Sequence, residues 1–212
     1  MIIGKIDYIN LLPFYIFLRR HLGSSERAAL EYHKGPPRQI NRLFAKRRVE
    51  AAVISSIHSA KYRCSDFGIV ATRRVRSVLV CPGETAEDKE SDTSNVLARI
   101  LGVQGRVLIG DKALRLGDAE CRDLAALWYE RYRLPFVFAR FCYTKRAKKY
   151  EALADKFLKE KIKIPHYILR RYAARSELSL SQIREYLALI HYRIGPKERR
   201  ALKKFLRLAK KA

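Results

Sequence analysis

Long hydrophobic runs are missing from this sequence: none approaches the roughly 18 apolar residues that a membrane-crossing helix needs. A secretory leader is not expected either, because Met1 runs straight into Ile2 and Ile3 with neither a basic n-region nor a cleavage site. The four cysteines, Cys64, Cys81, Cys121 and Cys142, form no CxxC pair and have no histidine at ligand spacing. That argues against a structural zinc and predicts four free thiols in a reducing compartment, the cytoplasm. Acidic residues are scarce, 21 against 45 Lys and Arg, for a formal net charge of +24. Such a charge repels itself and favours anionic partners. Nucleic acid is the first to consider, yet there is no aromatic stacking platform, zinc-finger spacing or helix-turn-helix to receive it. Over half of the excess lies between Tyr143 and Ala212, which hold 21 basic and 6 acidic residues. That segment reads as amphipathic helix with Lys203, Lys204 and Arg207 outward, a solvated face, so specific nucleic-acid binding is not expected.

What is present is a chain of 212 residues, enough for one α/β domain or two small lobes, organised around its opening MIIGKIDYINLLPF. β-Branched Ile2, Ile3 and Ile6 predict a buried strand, and Asn10 with Pro13 predicts the start of a helix over Leu11 to Leu22. Tyr8 and Asn10 thus fall where a strand meets a helix N-terminus, which in open α/β sheets is where ligands sit. Asn10 is equally suited to capping that helix. Ala28 to His33 reads as a second strand, and Ile40, Leu43 and Phe44 as one face of a helix. Val49 to Ile54 reads as a buried strand ending at Ser55 and Ser56, which either cap the next helix or meet a ligand. Phe67 to Ala71 and Ser77 to Cys81 read as extended. Thr93 and Ser94 open an apolar helix, as an anion cradle or an ordinary cap. Arg106 to Ile109 is a strand ended by Gly110 and Asp111, and Leu134 to Ala139 a final strand. Helices alone are expected beyond it, broken at Pro165, near Ser176 to Ser179 and at Gly195-Pro196. Alternation up to Ala139 predicts a parallel-rich sheet. Tyr8, Asn10, Ser55, Ser56, Ser77, Thr93, Ser94 and Asp111 all fall at or beside strand ends, which points to a common pocket.

The segments IDYINLLPF, PPRQINRLF, VEAAVISSIHSAKY, VRSVLV, DTSNVLARIL, VLIGDKAL and DLAALWYERYRLPFVFA, in this order, resemble the chorismate dehydratase family of the futalosine route to menaquinone. The resemblance spans residues 1 to about 141 and departs in a short region between Ser77 and Gly110 and in a C-terminal part alike only in helical character. His58 stands where Glu is common, which argues against an essential His58. The resemblance implies a type 2 periplasmic-binding-protein fold working as a cytoplasmic enzyme. Its two lobes would be residues 1–78 completed by 140–212, and 79–139, crossing near Ser77 and Phe138. It implies a lyase that removes water from chorismate to give 3-[(1-carboxyvinyl)oxy]benzoate, with no metal or organic cofactor. The substrate is a dianion, so the pocket must hold two carboxylates and stabilise a dienolate as it forms. Asn10 is the implied catalytic residue. Tyr8, Ser55, Ser56, Ser77, Thr93, Ser94, Asp111 and Phe136 are the candidates to bind substrate, although Phe136 and Phe138 in an apolar strand also read as core. Asp111 is either a base or a structural residue. No matched motif supplies an evident general base, which motivates the idea that the enolpyruvyl carboxylate of the substrate takes the proton. The paralogous 1,4-dihydroxy-6-naphthoate synthase and a non-catalytic anion- or nucleic-acid-binding protein are the competing readings.

Overall fold

Buried Ile3 and Ile6 place the first strand, β1 (Ile3–Ile6), inside the molecule, and the chain turns at once into a 3-10 turn, Ile9–Leu11, and helix α1 (Leu12–His21). A computed structural model of the chain describes residues 1–116 and 120–212. After α1 come α2 (Ser24–Tyr32), β2 (Lys34–Gly35), α3 (Pro37–Ala45), β3 (Ala51–Ser55), α4 (Ser56–Ser59) and β4 (Arg63–Ala71). The chain then builds β5 (Val78–Cys81), α5 (Asp92–Leu101), β6 (Arg106–Ile109), α6 (Asp111–Leu116), β7 (Arg122–Asp123) and α7 (Leu124–Tyr132). It closes with β8 (Phe136–Tyr143), α8 (Ala147–Lys159), α9 (His166–Ser176), α10 (Leu180–Ala188), β9 (Ile190–Arg193) and α11 (Pro196–Ala209). No helix among the described residues is long and apolar enough to cross a membrane.

Two sheets result. The larger has the order β2-β1-β3-β8-β4-β9 and the smaller the order β6-β5-β7. The chain leaves the large sheet after Ala71 and re-enters it at Phe136. The returning β8 runs between β3 and β4, antiparallel to both. Among the described strand pairs, β1 with β2 and β1 with β3 are parallel and the rest antiparallel, including both pairs of the small sheet. The parallel-rich sheet expected from strand–helix alternation is therefore corrected. Alternation reports which elements neighbour one another in sequence; a strand that returns from an excursion and inserts in the middle reverses direction without changing that pattern.

Three further expectations are corrected. Of the residues expected as a strand over Ala28 to His33, all but His33, the C-cap, lie in α2, whose first turn is set by Glu26 accepting from the Gly23 backbone N–H at 3.1 Å. Only Leu30 of that helix is fully buried, so its apolar residues do not form a strand face. The C-terminal part is not helix alone: β9 pairs with β4 as an edge strand. The cysteines are not free thiols, since Cys64 is bonded to Cys142 and Cys81 to Cys121. Cys64 and Cys142 face each other in the β4–β8 register, and β5 and the approach to β7 bring the other two together. Linear spacing carried none of that cross-strand register. The compartment argument that leaned on free thiols falls with it.

The core joins both sheets. Phe14 of α1 lies 4.5 Å from Phe67, 5.4 Å from Phe141 and 5.1 Å from Phe157 between ring centroids, which fixes α1 and α8 against the large sheet. Trp128, Phe136 and Phe205 form a second aromatic group, bringing α7 and α11 onto the start of β8.

Candidate active site

Between the sheets lies a narrow cleft of about 70 Å³. Its first wall comes from the large sheet: Ile6 at the end of β1 with Tyr8 and Asn10 after it, Ser55 at the end of β3, Ile69 on β4, and Phe138 with Ala139 on β8. Its second wall comes from the small sheet and its approach: Val75, Ser77 and Val78, Ser91 and Ser94 at the start of α5, and Ile109 with Gly110 at the end of β6. Of the residues expected to bind substrate or act on it, Tyr8, Asn10, Ser55, Ser77 and Ser94 line this space.

Asn10 does not cap a helix. The N-cap of α1 is Leu11, and no side chain caps either the 3-10 turn or α1. The Asn10 backbone carbonyl instead accepts from the Tyr192 hydroxyl at 2.7 Å, and its side chain lies beside the Tyr186 phenol. Its Oδ1 is buried with no hydrogen-bond partner. A buried acceptor left unmade is costly, so this oxygen is built to receive a donor. Tyr186, fully enclosed, also donates to Ser77 Oγ at 2.9 Å. That leaves the Ser77 hydroxyl hydrogen to point elsewhere. Burial raises the Tyr186 pKa, so the phenol stays a donor.

Ser55 is held on both sides by Asn41, whose Oδ1 accepts from Ser55 N at 3.1 Å while its Nδ2 donates to Ser55 Oγ at 2.8 Å. Ser91 caps α5 by accepting from Ser94 N at 3.2 Å, and its hydroxyl donates to Ser94 Oγ at 2.7 Å. Tyr8 presents its ring to the cleft while its hydroxyl donates to the Glu90 carboxylate. Burial and Glu90 together raise the phenol's pKa. The ring lies so close to Gly110 that a Cβ there would come 3.0 Å from it, and Gly110 has φ +64. Only glycine meets both demands without strain.

Among the described lining residues none carries a formal charge. Positive potential comes instead from helix starts: Pro37 opens α3, Ser91 caps α5 and Gly110 precedes α6. Each helix N-terminus carries roughly half a positive charge with N–H groups directed outward. Hydroxyls, an amide and helix starts make a site suited to a small organic anion.

Four sequence candidates lie elsewhere. Ser56 is fully buried and donates to the Val137 carbonyl at 2.7 Å, a tie between α4 and β8. Thr93 Oγ1 accepts from Ile57 N at 3.2 Å and so caps α4 rather than facing the cleft. Phe136 is core, packed against Trp128; its neighbour Phe138 is the ring that reaches the cleft. Asp111 begins α6 behind Gly110, 3.7 Å from Arg175, with Oδ1 buried and unpartnered and its pKa raised by burial. His58 lies outside the cleft, 2.7 Å from Asp92. Sequence reading missed Ser91, which the Ser-x-x-Ser spacing before α5 signals as a cap. It also missed Tyr186 and Tyr192, for which no local pattern exists because their role arises from tertiary packing.

A family described as menaquinone biosynthesis matches residues 1–106 and 101–211. A curated chorismate dehydratase of Campylobacter jejuni is 47% identical over 218 aligned positions, covering 99% of this chain and 98% of that protein. A chorismate dehydratase of Thermus thermophilus is 26% identical, covering 73% of each. Among solved structures, protein AF1704 of Archaeoglobus fulgidus superposes with a TM-score of 0.69 at 13% identity, covering 99% of this chain and 96% of that one. A Candida albicans protein with the generic periplasmic-binding-protein fold superposes with a TM-score of 0.51 at 13% identity, covering 99% and 90%. At these identities the structures speak for the fold, a periplasmic-binding-protein-like α/β architecture. Matched by the family description along nearly its whole length, the chain belongs to the menaquinone biosynthesis family.

Proposed function

We propose that this protein is a chorismate dehydratase, a hydro-lyase that removes water from chorismate and leaves 3-[(1-carboxyvinyl)oxy]benzoate. The observation that carries the reading is the near-full-length similarity to the Campylobacter enzyme. The cleft fits it: a charge-free, partly apolar space whose polar groups are hydroxyls, one amide and helix starts. We take residues 1–78 with 140–212 as one lobe and 79–139 as the other, with the chain crossing on either side of the cleft.

Elimination takes the proton from the ether-bearing ring carbon and hydroxide from the adjacent carbon, and the ring becomes aromatic. Negative charge builds on the ring carboxylate as the dienolate forms, so donors fixed around that carboxylate lower the barrier. Ser55, Ser77 and the Ser91–Ser94 start of α5 are the groups we assign to the two carboxylates. Asn10 Oδ1, an acceptor without a partner, is assigned to the hydroxyl that departs. Among the described lining residues none is Asp, Glu, His or Lys, and Tyr8 is kept neutral by burial and Glu90. This supports proton abstraction by the substrate's own enolpyruvyl carboxylate, with the protein supplying position. A cytoplasmic address goes with the activity.

Incubation with chorismate should produce the absorbance of an aromatic product; no turnover at high protein concentration sinks the reading. A chorismate analogue lacking the enolpyruvyl carboxylate should bind without reacting, and its turnover at the normal rate would assign the base to the protein.

A further inference from the structure

The centre of the large sheet contains a charge. Arg140 lies on β8 between β3 and β4, opposite Ile54 and Gly68 in register. The preceding Ala139 lines the active-site cleft, whereas Arg140 does not. The side chain is half-buried, and its Nε is buried with no hydrogen-bond partner. A desolvated guanidinium nitrogen without an acceptor is costly. Nearby Asp66 attracts it by charge but makes its hydrogen bond with Arg199, at 2.6 Å, and leaves Nε unserved.

Arg140 opens into a groove of about 800 Å³ along α11. Arg199, Arg200, Lys203, Arg207 and Lys210 line it above apolar Leu134, Leu202 and Leu206. Its lining shares no residue with the cleft. We propose that this groove is a second, separate anion site that takes a phosphate-bearing ligand of several negative charges, with Arg140 at its base and the α11 cations along its wall. A single carboxylate leaves most of these cations unmatched, whereas a phosphate chain concentrates charge over a short span. Guanidinium forks match phosphate oxygens in geometry. The site also accounts for part of a positive charge that the neutral-walled cleft does not use.

The probe is inorganic triphosphate, titrated calorimetrically into the full chain at about 0.15 M salt, where diffuse surface attraction is screened beyond ~8 Å. One saturable site is expected. Arg140→Gln should weaken it by about tenfold or more, the loss of one charge-assisted contact. Lys203→Glu with Arg207→Glu, on the exposed face of α11, should weaken it likewise while chorismate turnover stays at the wild-type rate. Asp66→Asn, which frees Arg199, should tighten it. If Arg140→Gln fails to fold, the α11 pair and Asp66→Asn decide the matter. Absence of saturable binding, equal affinity in all these variants, or displacement of triphosphate by chorismate overturns the proposal. Vesicles of anionic phospholipid identify the source: binding that triphosphate displaces assigns the phosphate to a lipid headgroup. Duplex DNA that binds and is not displaced by triphosphate replaces the small-anion proposal with a nucleic-acid one.

Discussion

At the scale of single residues, the site rests on who holds Asn10. Tyr192 fixes its backbone carbonyl, Tyr186 lies beside its side chain, and Oδ1 is unpartnered. Asn10→Ala should therefore reduce kcat by about 10² or more, the usual cost of one preorganised polar contact to the reacting atoms. Its melting temperature should match the wild type within a few degrees, since no cap is lost; a variant with near-normal kcat removes the assigned role. Ser77→Ala should raise KM for chorismate more than it lowers stability, and unchanged KM and kcat would take Ser77 out of the site. That Asn10 and Ser77 line one cleft was legible in the sequence because both stand at strand ends. Phe136 and Phe138 were not separable, because a strand's alternation says that they share a face but not which ring meets the core and which the cleft. Ser56 and Thr93 failed as candidates for a related reason: a hydroxyl at a helix start serves a backbone group as readily as a ligand.

At the scale of elements, one carboxylate ties the crossing from the large sheet to the small one. Asp123 Oδ1 caps α7 by accepting from Ala125 N at 2.9 Å and Ala126 N at 3.0 Å. Its Oδ2 accepts from Val75 N at 2.8 Å and Arg76 N at 2.6 Å, on the segment that leads to Ser77. Asp123→Ala leaves those donors unserved and should cost about 3 kcal/mol in urea unfolding, the sum of a lost cap and lost charge-assisted bonds. A loss of under about 1 kcal/mol would show that water replaces the carboxylate. A second tie joins α9 to the end of β1. Burial alone would raise the Asp7 pKa, but the Tyr172 hydroxyl at 2.8 Å and Arg175 at 2.6 Å outweigh it and the pKa is lowered. A depressed carboxylate stabilises the fold above its unfolded value of 3.8, and that stability is lost as pH falls below it. Asp7→Asn should be less stable than the wild type near neutrality, with the difference shrinking below pH 3.8; a difference independent of pH would trace the loss to packing. Helices α3, α5, α7 and α11 follow from apolar spacing and the residues at their starts. The short edge strand β9, Ile-His-Tyr-Arg, has no alternation to distinguish it from the flanking helices, and only its pairing with β4 makes it a strand.

For the whole molecule, net charge and cleft charge point in different directions. The chain carries +24, yet the walls of the cleft carry no formal charge. Basic side chains therefore act on a dianion from a distance, as a field that draws it towards the mouth, while the contacts at the reacting atoms are hydrogen bonds and helix starts. These two contributions respond differently to salt. The field is screened over about 10 Å at 0.1 M ionic strength, whereas short, desolvated hydrogen bonds are not. Raising the salt from about 0.01 to 0.5 M should thus lower kcat/KM for chorismate by roughly tenfold, within the range of electrostatic steering, and leave kcat nearly constant. The same screening relieves self-repulsion among the cations, so the melting temperature should rise over the range in which kcat/KM falls. A kcat that drops in step with kcat/KM would mean that a surface cation reaches the bound substrate, and the charge-free description of the site would then be wrong.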